Sequence, residues 1–319
     1  MNKVMSKTFL LSVLCAFSVT AFSGEKVDSS LEAKSGDFID IEHMNGKAKI
    51  RGWDKELVQV KGELDDRAEG FVFKRTSSGI VIEVEMPRRM RNNSRHKGDD
   101  LEIFVPKDSP VHYTSINANV TVSDIHAGMS LETVNGKVKV ENASGKLRIE
   151  SVNGDIETTQ LNGDIRIETV NANIIDKKSK AEEVHFDTVN GHVWSNIDTQ
   201  EISVETVNGD VELELGEMKK MEVSTVNGGI ESKFDLANNA DVEVSTVGGK
   251  IVLEMPKDVS ARFEIEAHAG GRIVNEITDD EVKKAKYGPN RWLEFSSNGG
   301  NSEVEVSTVS GKVVLKASN

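Results

Sequence analysis

The chain has 319 residues, 37% hydrophobic but only 5% aromatic, with 26 glycines, 5 prolines and a formal charge of -14. This composition suits a globular protein with a core of small, β-branched side chains rather than large rings. Its acidity excludes nucleic acid as a natural partner, because phosphate contacts need a basic surface.

Residues 1–23 have the layout of a secretory signal peptide. Lys3 and Lys7 precede the apolar stretch T-F-L-L-S-V-L-C-A-F, which is too short to span a membrane, and Ala21-Phe22-Ser23 supplies a small-x-small cleavage site. The only cysteine, Cys15, follows Leu14 where a lipoprotein signal would need a small residue, so no lipid anchor is expected. Removal of this segment leaves a chain without disulfides or thiol chemistry, with a charge of about -16. Such a product is expected in the periplasm, at the cell surface or outside the cell, with no integral membrane segment.

Residues 24–115 read as a looser, strand-rich part. F-I-D-I-E-H-M-N-G-K-A-K-I-R-G-W-D is followed by L-V-Q-V-K-G, G-I-V-I-E-V and D-L-E-I-F-V-P, all with the period-two alternation of half-buried strands. Between the last two lies the one basic segment, R-R-M-R-N-N-S-R-H-K, with Arg88, Arg89, Arg91, Arg95 and Lys97. It reads either as a solvated loop or as a dock for a membrane surface or an acidic polymer.

Residues 116–255 repeat. T-V-N-G stands at 133, 188, 206 and 225, with close copies at 151, 169, 246 and 308. The aligned positions are Asn117, Asn135, Asn153, Asn171, Asn190, Asn208, Asn227 and then Gly248, with Gly136, Gly154, Gly191, Gly209 and Gly228 following their asparagines. Apolar residues recur six and four positions before each asparagine and three after it. Where N-G-D-I-E-T-T-Q-L runs into N-G-D-I-R-I-E-T-V the unit halves to nine residues, an odd number that forces a change of parity. T-V-N-G is therefore a corner, and asparagine and glycine suit one because both tolerate positive φ.

An antiparallel meander of hairpins would use the same letters. The alternate corners favour a coil: they read H-A-G, A-S-G and L-N-G early, then swell into D-K-K-S-K-A-E-E, L-G-E-M-K-K and L-A-N-N-A. One fixed corner and one free side imply an all-β, single-stranded parallel β-solenoid (β-helix) with coils of ~18 residues, expected to be right-handed, stacking equivalent residues at ~4.8 Å. Stacked asparagines and threonines would then hydrogen-bond up their columns and satisfy buried corner groups. Residues 256–319 form the irregular end: the pattern lapses between Asp279 and Asn301, where a short helix fits, and S-E-V-E-V-S-T-V-S-G-K-V-V-L-K supplies a last coil before the cap.

The succession G-W-D-x-x-x-V-x-V, L-x-I-x-V-P and serial T-V-N-G-D-V units resembles a bacterial exported β-strand-repeat family of unknown function, often labelled "putative adhesin". The resemblance covers about 37–316. It implies a β-solenoid on an exported or envelope-associated protein, a binding role, and no catalytic residues to carry over.

Three constellations carry possible chemistry. Glu132, Glu150, Glu168, Asp187 and Glu205 form one outward column, with Arg148 and Arg166 two residues away on the same face. This reads as a salt-bridged, solvated face, or as a cation site or an acid–base pair for polysaccharide cleavage. Ile175 and Trp194 share an outward column on neighbouring coils, where they either meet a sugar or a protein or lie beneath the 176–183 excursion. Histidines at 43, 96, 112, 126, 185, 192 and 268 lack metal-site spacing, though His185 and His192 flank one corner. The nonapeptide period matches calcium-binding β-rolls, but without their G-G-x-G-x-D corners Asp155, Asp164 and Asp210 carry little. No catalytic residue, metal site or cofactor is expected. The sequence points to a non-enzymatic exported binding or scaffolding protein with a protein or polysaccharide partner in the envelope. A polysaccharide-acting β-helix enzyme, and an envelope-stress or signalling component with a membrane partner, are the alternatives.

Overall fold

The computed structural model describes residues 24–87 and 97–318, so the 1–23 segment and most of the basic segment lie outside the described residues. The described chain is all-β and solenoid-like, its repeats stacked in parallel and in register. Strand Ser144–Asn153 lies between Met129–Asn135 and Asn162–Thr169, placing Leu147 against Met129 and Ile165, and Ile149 against Leu131 and Ile167. After the corner, Ile156–Thr159 pairs with Val138–Glu141 on one side and with Ile174–Asn190 on the other. Each repeat therefore contributes to two sheets, one on either side of the T-V-N-G corner.

Alternation decides what fills the space between them. Leu131, Ile149, Ile167, Phe186 and Val204 from one sheet and Val138, Ile156, Ile174 and Val193 from the other are all buried to 1% exposure or less. Burying each such side chain stabilises the fold by ~1.5–3 kcal/mol, and stacking like on like keeps the core continuous along the axis.

The two corners are built differently. At the one opposite T-V-N-G, Asp124, Asn142, Gln160 and Lys178 adopt left-handed φ values of 62°, 51°, 55° and 55°. This corner swells as its sequence does: the pairing slips between Lys177 and Ser179, Ile197 and Glu201, and Glu214 and Glu217. The T-V-N-G side keeps register, with Asn190 on Asn208 and Asn208 on Asn227.

This overturns part of the expectation for the corner. Its asparagines do not take positive φ, and of the corner glycines Gly136, Gly154, Gly191, Gly209 and Gly228 only Gly136 does, at 129°. The glycines are needed because coils touch there: a Cβ on Gly154, Gly209 or Gly228 would fall 1.8–1.9 Å from the carbonyl oxygen of Gly136, Gly191 or Gly209 in the coil before.

Both ends are threaded out of chain order. Strand Ile39–Trp53 is sandwiched between Val111–Ser123 and the pair Ile80–Glu85 and Asp99–Pro106, so the chain leaves the stack after its first coil, builds the end, and returns. Antiparallel strands Gly70–Arg75, Leu57–Glu63 and Lys26–Glu32 close that end. At the other end, Ser302–Thr308 and Lys312–Ser318 insert between the coil containing Asp241–Thr246 and Lys250–Pro256 and the strands Ala261–Ala267 and Arg272–Asn275. The expected last coil is thus internal to the stack. The expected helix between Asp279 and Asn301 is also absent, replaced by Arg291–Ser297, antiparallel to Ala261–Ala267, and the short Lys283–Lys284, antiparallel in turn to Arg291–Ser297.

Candidate functional site

Three outward or corner columns run side by side along the T-V-N-G edge. The outermost is an amide ladder: Asn135 Nδ2 donates to Asn117 Oδ1 at 2.9 Å, Asn153 to Asn135 at 3.0 Å, Asn171 to Asn153 at 2.9 Å, and the chain of bonds continues through Asn190, Asn208 and Asn227. These amides face solvent, so the ladder satisfies surface groups rather than buried ones. Inside it, the threonines do not form the matching hydroxyl ladder. Ser115 Oγ donates to Thr133 Oγ1 at 2.8 Å, but Thr188 and Thr225 donate to the carbonyls of Ala172 and Gly209 in the preceding coil. Because each asparagine in the middle both gives and takes one bond, Asn153→Leu should lower stability by about 1–2 kcal/mol. Urea unfolding measures this, and a shift no larger than that of an ordinary surface substitution would show that the ladder adds nothing.

Between asparagine and threonine stands the valine of T-V-N-G. Val134, Val152, Val170, Val189, Val207 and Val226 are each 38–41% exposed, and the row continues at Ile116 and Val247. Two residues back on the same outward face lies the carboxylate column, with Glu150 between Glu132 and Glu168, and Asp187 between Glu168 and Glu205. Together the rows bound a groove of about 1020 Å³ running along the stack, lined by Glu132, Val152, Arg166, Glu168, Asp187 and Val207 among others.

Arg148 and Arg166 stack on each other in the next column and bridge the carboxylates. Arg148 bonds Glu150 and reaches Glu168 at 3.4 Å, while Arg166 bonds Glu168 at 2.5 Å and Asp187 at 3.2 Å. Burial in the column pushes the Asp187 carboxyl above its ordinary range; Arg166 opposes the shift, and Glu205 and Glu168 add to it. Among the described residues neither Glu132 nor Glu205 forms an ion pair, and no group of three acidic, histidine or cysteine side chains is placed to hold a metal ion.

The other singled-out residues lie elsewhere. Ile175 and Trp194 are neighbours on the outer face of the second sheet, both half-buried. The 176–183 stretch does not fold over them, because it continues within strand Ile174–Asn190 and pairs with the next coil. Lys97 is exposed beside Gly98 at the capped end, whereas Arg88, Arg89, Arg91 and Arg95 lie outside the described residues. His185 and His192 do not meet: His185 pairs with Glu183 at 2.9 Å, and the ring of His192 accepts the backbone N–H of Asp210 at 3.1 Å.

Two buried polar groups had not stood out in the sequence. Asp176 is fully buried, on the inward side, and accepts hydroxyl bonds from Thr158 and Ser179 at 2.6 Å and Ser195 at 3.2 Å. Its parity was the available signal, since it occupies the column of Val140, Thr158 and Ser195. Burial raises its pKa above 3.8 despite those donors. The folded state then holds the proton more tightly than the unfolded chain, so this group makes stability rise as pH falls through the raised value and fall as the carboxyl ionises. Asp176→Asn should flatten that slope, as thermal melts across mildly acidic to neutral pH would show. The second group is His43, whose Nδ1 lies 3.0 Å from the Tyr113 hydroxyl and whose Nε2 lies 3.2 Å from Asp99, all three fully buried where the first coil meets the cap.

Residues 39–316 match the family described as Toastrack, a domain of unknown function. The chain belongs to the Toastrack family. The match spans the parallel stack and the strands that close its ends, except for Lys26–Glu32, which lies before it. No curated protein matches the chain. Among solved structures, a "putative adhesin" from Parabacteroides merdae is 10% identical, covering 92% of this chain and 97% of its own, with a TM-score of 0.45. A "putative lipid binding protein" from Parabacteroides distasonis is 10% identical over 92% and 99%, with a TM-score of 0.39. A "putative cell adhesion protein" from Clostridium sporogenes is 11% identical over 92% and 100%, with a TM-score of 0.22.

Proposed function

We propose that this Toastrack chain is an exported, non-enzymatic envelope protein that binds or scaffolds through the long outer surfaces of its stack. The observation that carries this reading is the groove itself. It is open, it repeats coil after coil, and most of its acids are already engaged by Arg148 and Arg166. A repeating open surface suits a polymer or a protein partner, whereas catalysis needs a water-excluded point where a few groups converge. The layout of residues 1–23 and the acidity of the chain support export, and no helix among the described residues is long and apolar enough to cross a membrane.

A second reading has its own observation. Glu168, Asp187 and Arg166 come from adjacent coils and meet in the groove, and Asp187 has the raised pKa expected of a general acid. Incubating the purified protein with acidic and neutral polysaccharides separates the two readings. No cleavage, together with recovery of a tagged copy in an envelope or culture-fluid fraction, is the expected result; cleavage abolished by Asp187→Asn would replace binding with catalysis. A membrane-partner role through the basic segment would instead appear as a membrane-protein pull-down lost when Arg88, Arg89 and Arg91 become alanine.

A further inference from the structure

The valine row lies outside the core and outside the ladder. It points out of the core, it makes no ladder bond, and yet valine recurs there at 134, 152, 170, 189, 207 and 226, each 38–41% exposed. A continuous apolar stripe on an otherwise acidic surface marks a contact surface, because monomeric proteins rarely keep such patches bare. Its neighbour across the groove is a row of carboxylates in which two arginines, Arg148 and Arg166, serve Glu150, Glu168 and Asp187, leaving a net negative wall that includes Glu132 and Glu205.

We infer that the groove binds an extended, cationic amphipathic polypeptide, with apolar side chains on the valine row and basic side chains on the carboxylate row. This rests on the surface-binding function proposed above and names the surface and the partner chemistry. Three features choose the occupant. The two rows stand two residues apart on one strand face, about 6.6 Å, which is narrow for a helix about 10 Å across but suits a chain in β conformation. An extended chain lying along the groove sends alternate side chains to opposite sides, so a period-two pattern of apolar and basic residues meets both rows at once. The wall and the chain's overall charge of -14 select a cationic partner and oppose a second copy of this acidic protein. Because both rows are continuous along the axis, recognition is by pattern and tolerates sliding, as expected for a surface without discrete pockets.

The experiment titrates the full-length mature protein with a fluorescent peptide of alternating lysine and valine, using lysine–serine and glutamate–valine peptides as controls. Binding of the lysine–valine peptide at least about tenfold tighter than either control, weakened by salt, is expected. The joint variant Val152→Ser, Val170→Ser and Val189→Ser should lose about tenfold in affinity while remaining folded in a thermal melt, since the replaced side chains point out of the core. Glu132→Gln with Glu205→Gln should weaken binding and reduce its salt dependence, whereas Trp194→Ala on the other sheet should leave it unchanged. Equal binding of the lysine–valine and lysine–serine peptides, or serine variants that bind as wild type does, overturns the inference. So does a wild-type dimer that the serine variants dissociate in sedimentation, because the stripe would then belong to a second copy. If the tagged protein still associates with envelope fractions while the peptide fails to bind, the surface-binding function stands and only this partner falls. Polysaccharide cleavage would remove that broader function independently of the peptide result.

Discussion

Gly154→Val should lower stability by at least about 4 kcal/mol, and soluble protein should be scarce. An added Cβ would lie 1.9 Å from the Gly136 carbonyl oxygen and 2.7 Å from its carbon. Both are backbone atoms of a hydrogen-bonded stack, so no rotamer change relieves the overlap; the two coils must part, and the in-register pairs on either side of the corner part with them. The companion measurement is Gly216→Ala on the opposite, swollen corner. There the new Cβ would meet only the Asp198 carboxylate at 3.2 Å, the end of an exposed side chain held only by a surface ion pair to Lys180. That variant should unfold within about 0.5 kcal/mol of wild type. Equal urea midpoints for Gly154→Val and wild type would show that the coils do not touch at T-V-N-G.

Asp99→Ala should be the next most damaging change, costing about 3 kcal/mol. Asp99 is 1% exposed; one carboxylate oxygen accepts the Asp65 backbone N–H at 2.5 Å and the other lies 3.2 Å from His43 Nε2. Truncation strands the buried Asp65 amide and removes the carboxylate that faces His43, whose ring keeps its Tyr113 contact, and an unsatisfied buried group carries its desolvation cost. The damage should spread to the cap, because Asp65 in turn holds Arg67, whose guanidinium keeps the Asp65 carboxyl at about 2. Hydrogen exchange provides the readout: amides of Leu57–Glu63 and Asp99–Pro106 should lose protection before those of the central coils. Uniform loss along the stack, or none, would mean that the His43–Asp99–Tyr113 cluster does not tie the cap to the first coil.

Much of this molecule is legible from parity alone. Leu131, Ile149 and Ile167 had to point one way and Glu132, Glu150 and Glu168 the other, and both columns exist as read. The same rule exposes Val134 and Val152, although a valine inside a corner motif reads as core until the corner is built. Asp176 shows the converse failure. In a charged run, D-K-K-S-K-A-E-E, alternation from the buried Ile174 turns this acid inward, and the charge of the run masked a parity that pointed there.

The ends escaped sequence reasoning for a different cause. S-E-V-E-V-S-T-V-S-G-K-V-V-L-K is a good repeat, and position in the chain suggested position in the stack. A β edge accepts any in-register partner, however, and Ser302–Thr308 lies between Asp241–Thr246 and Ala261–Ala267, so a later segment occupies the inner place.

The sequence by itself determined that the chain is a parallel stack with one rigid corner and one free one, because side-chain parity and unequal corner lengths are local properties of the string. Only the tertiary structure decided why the corner is glycine, which strands close the ends, and that valines and carboxylates share a groove. Those depend on distances between coils, and residues far apart in the chain fix them together.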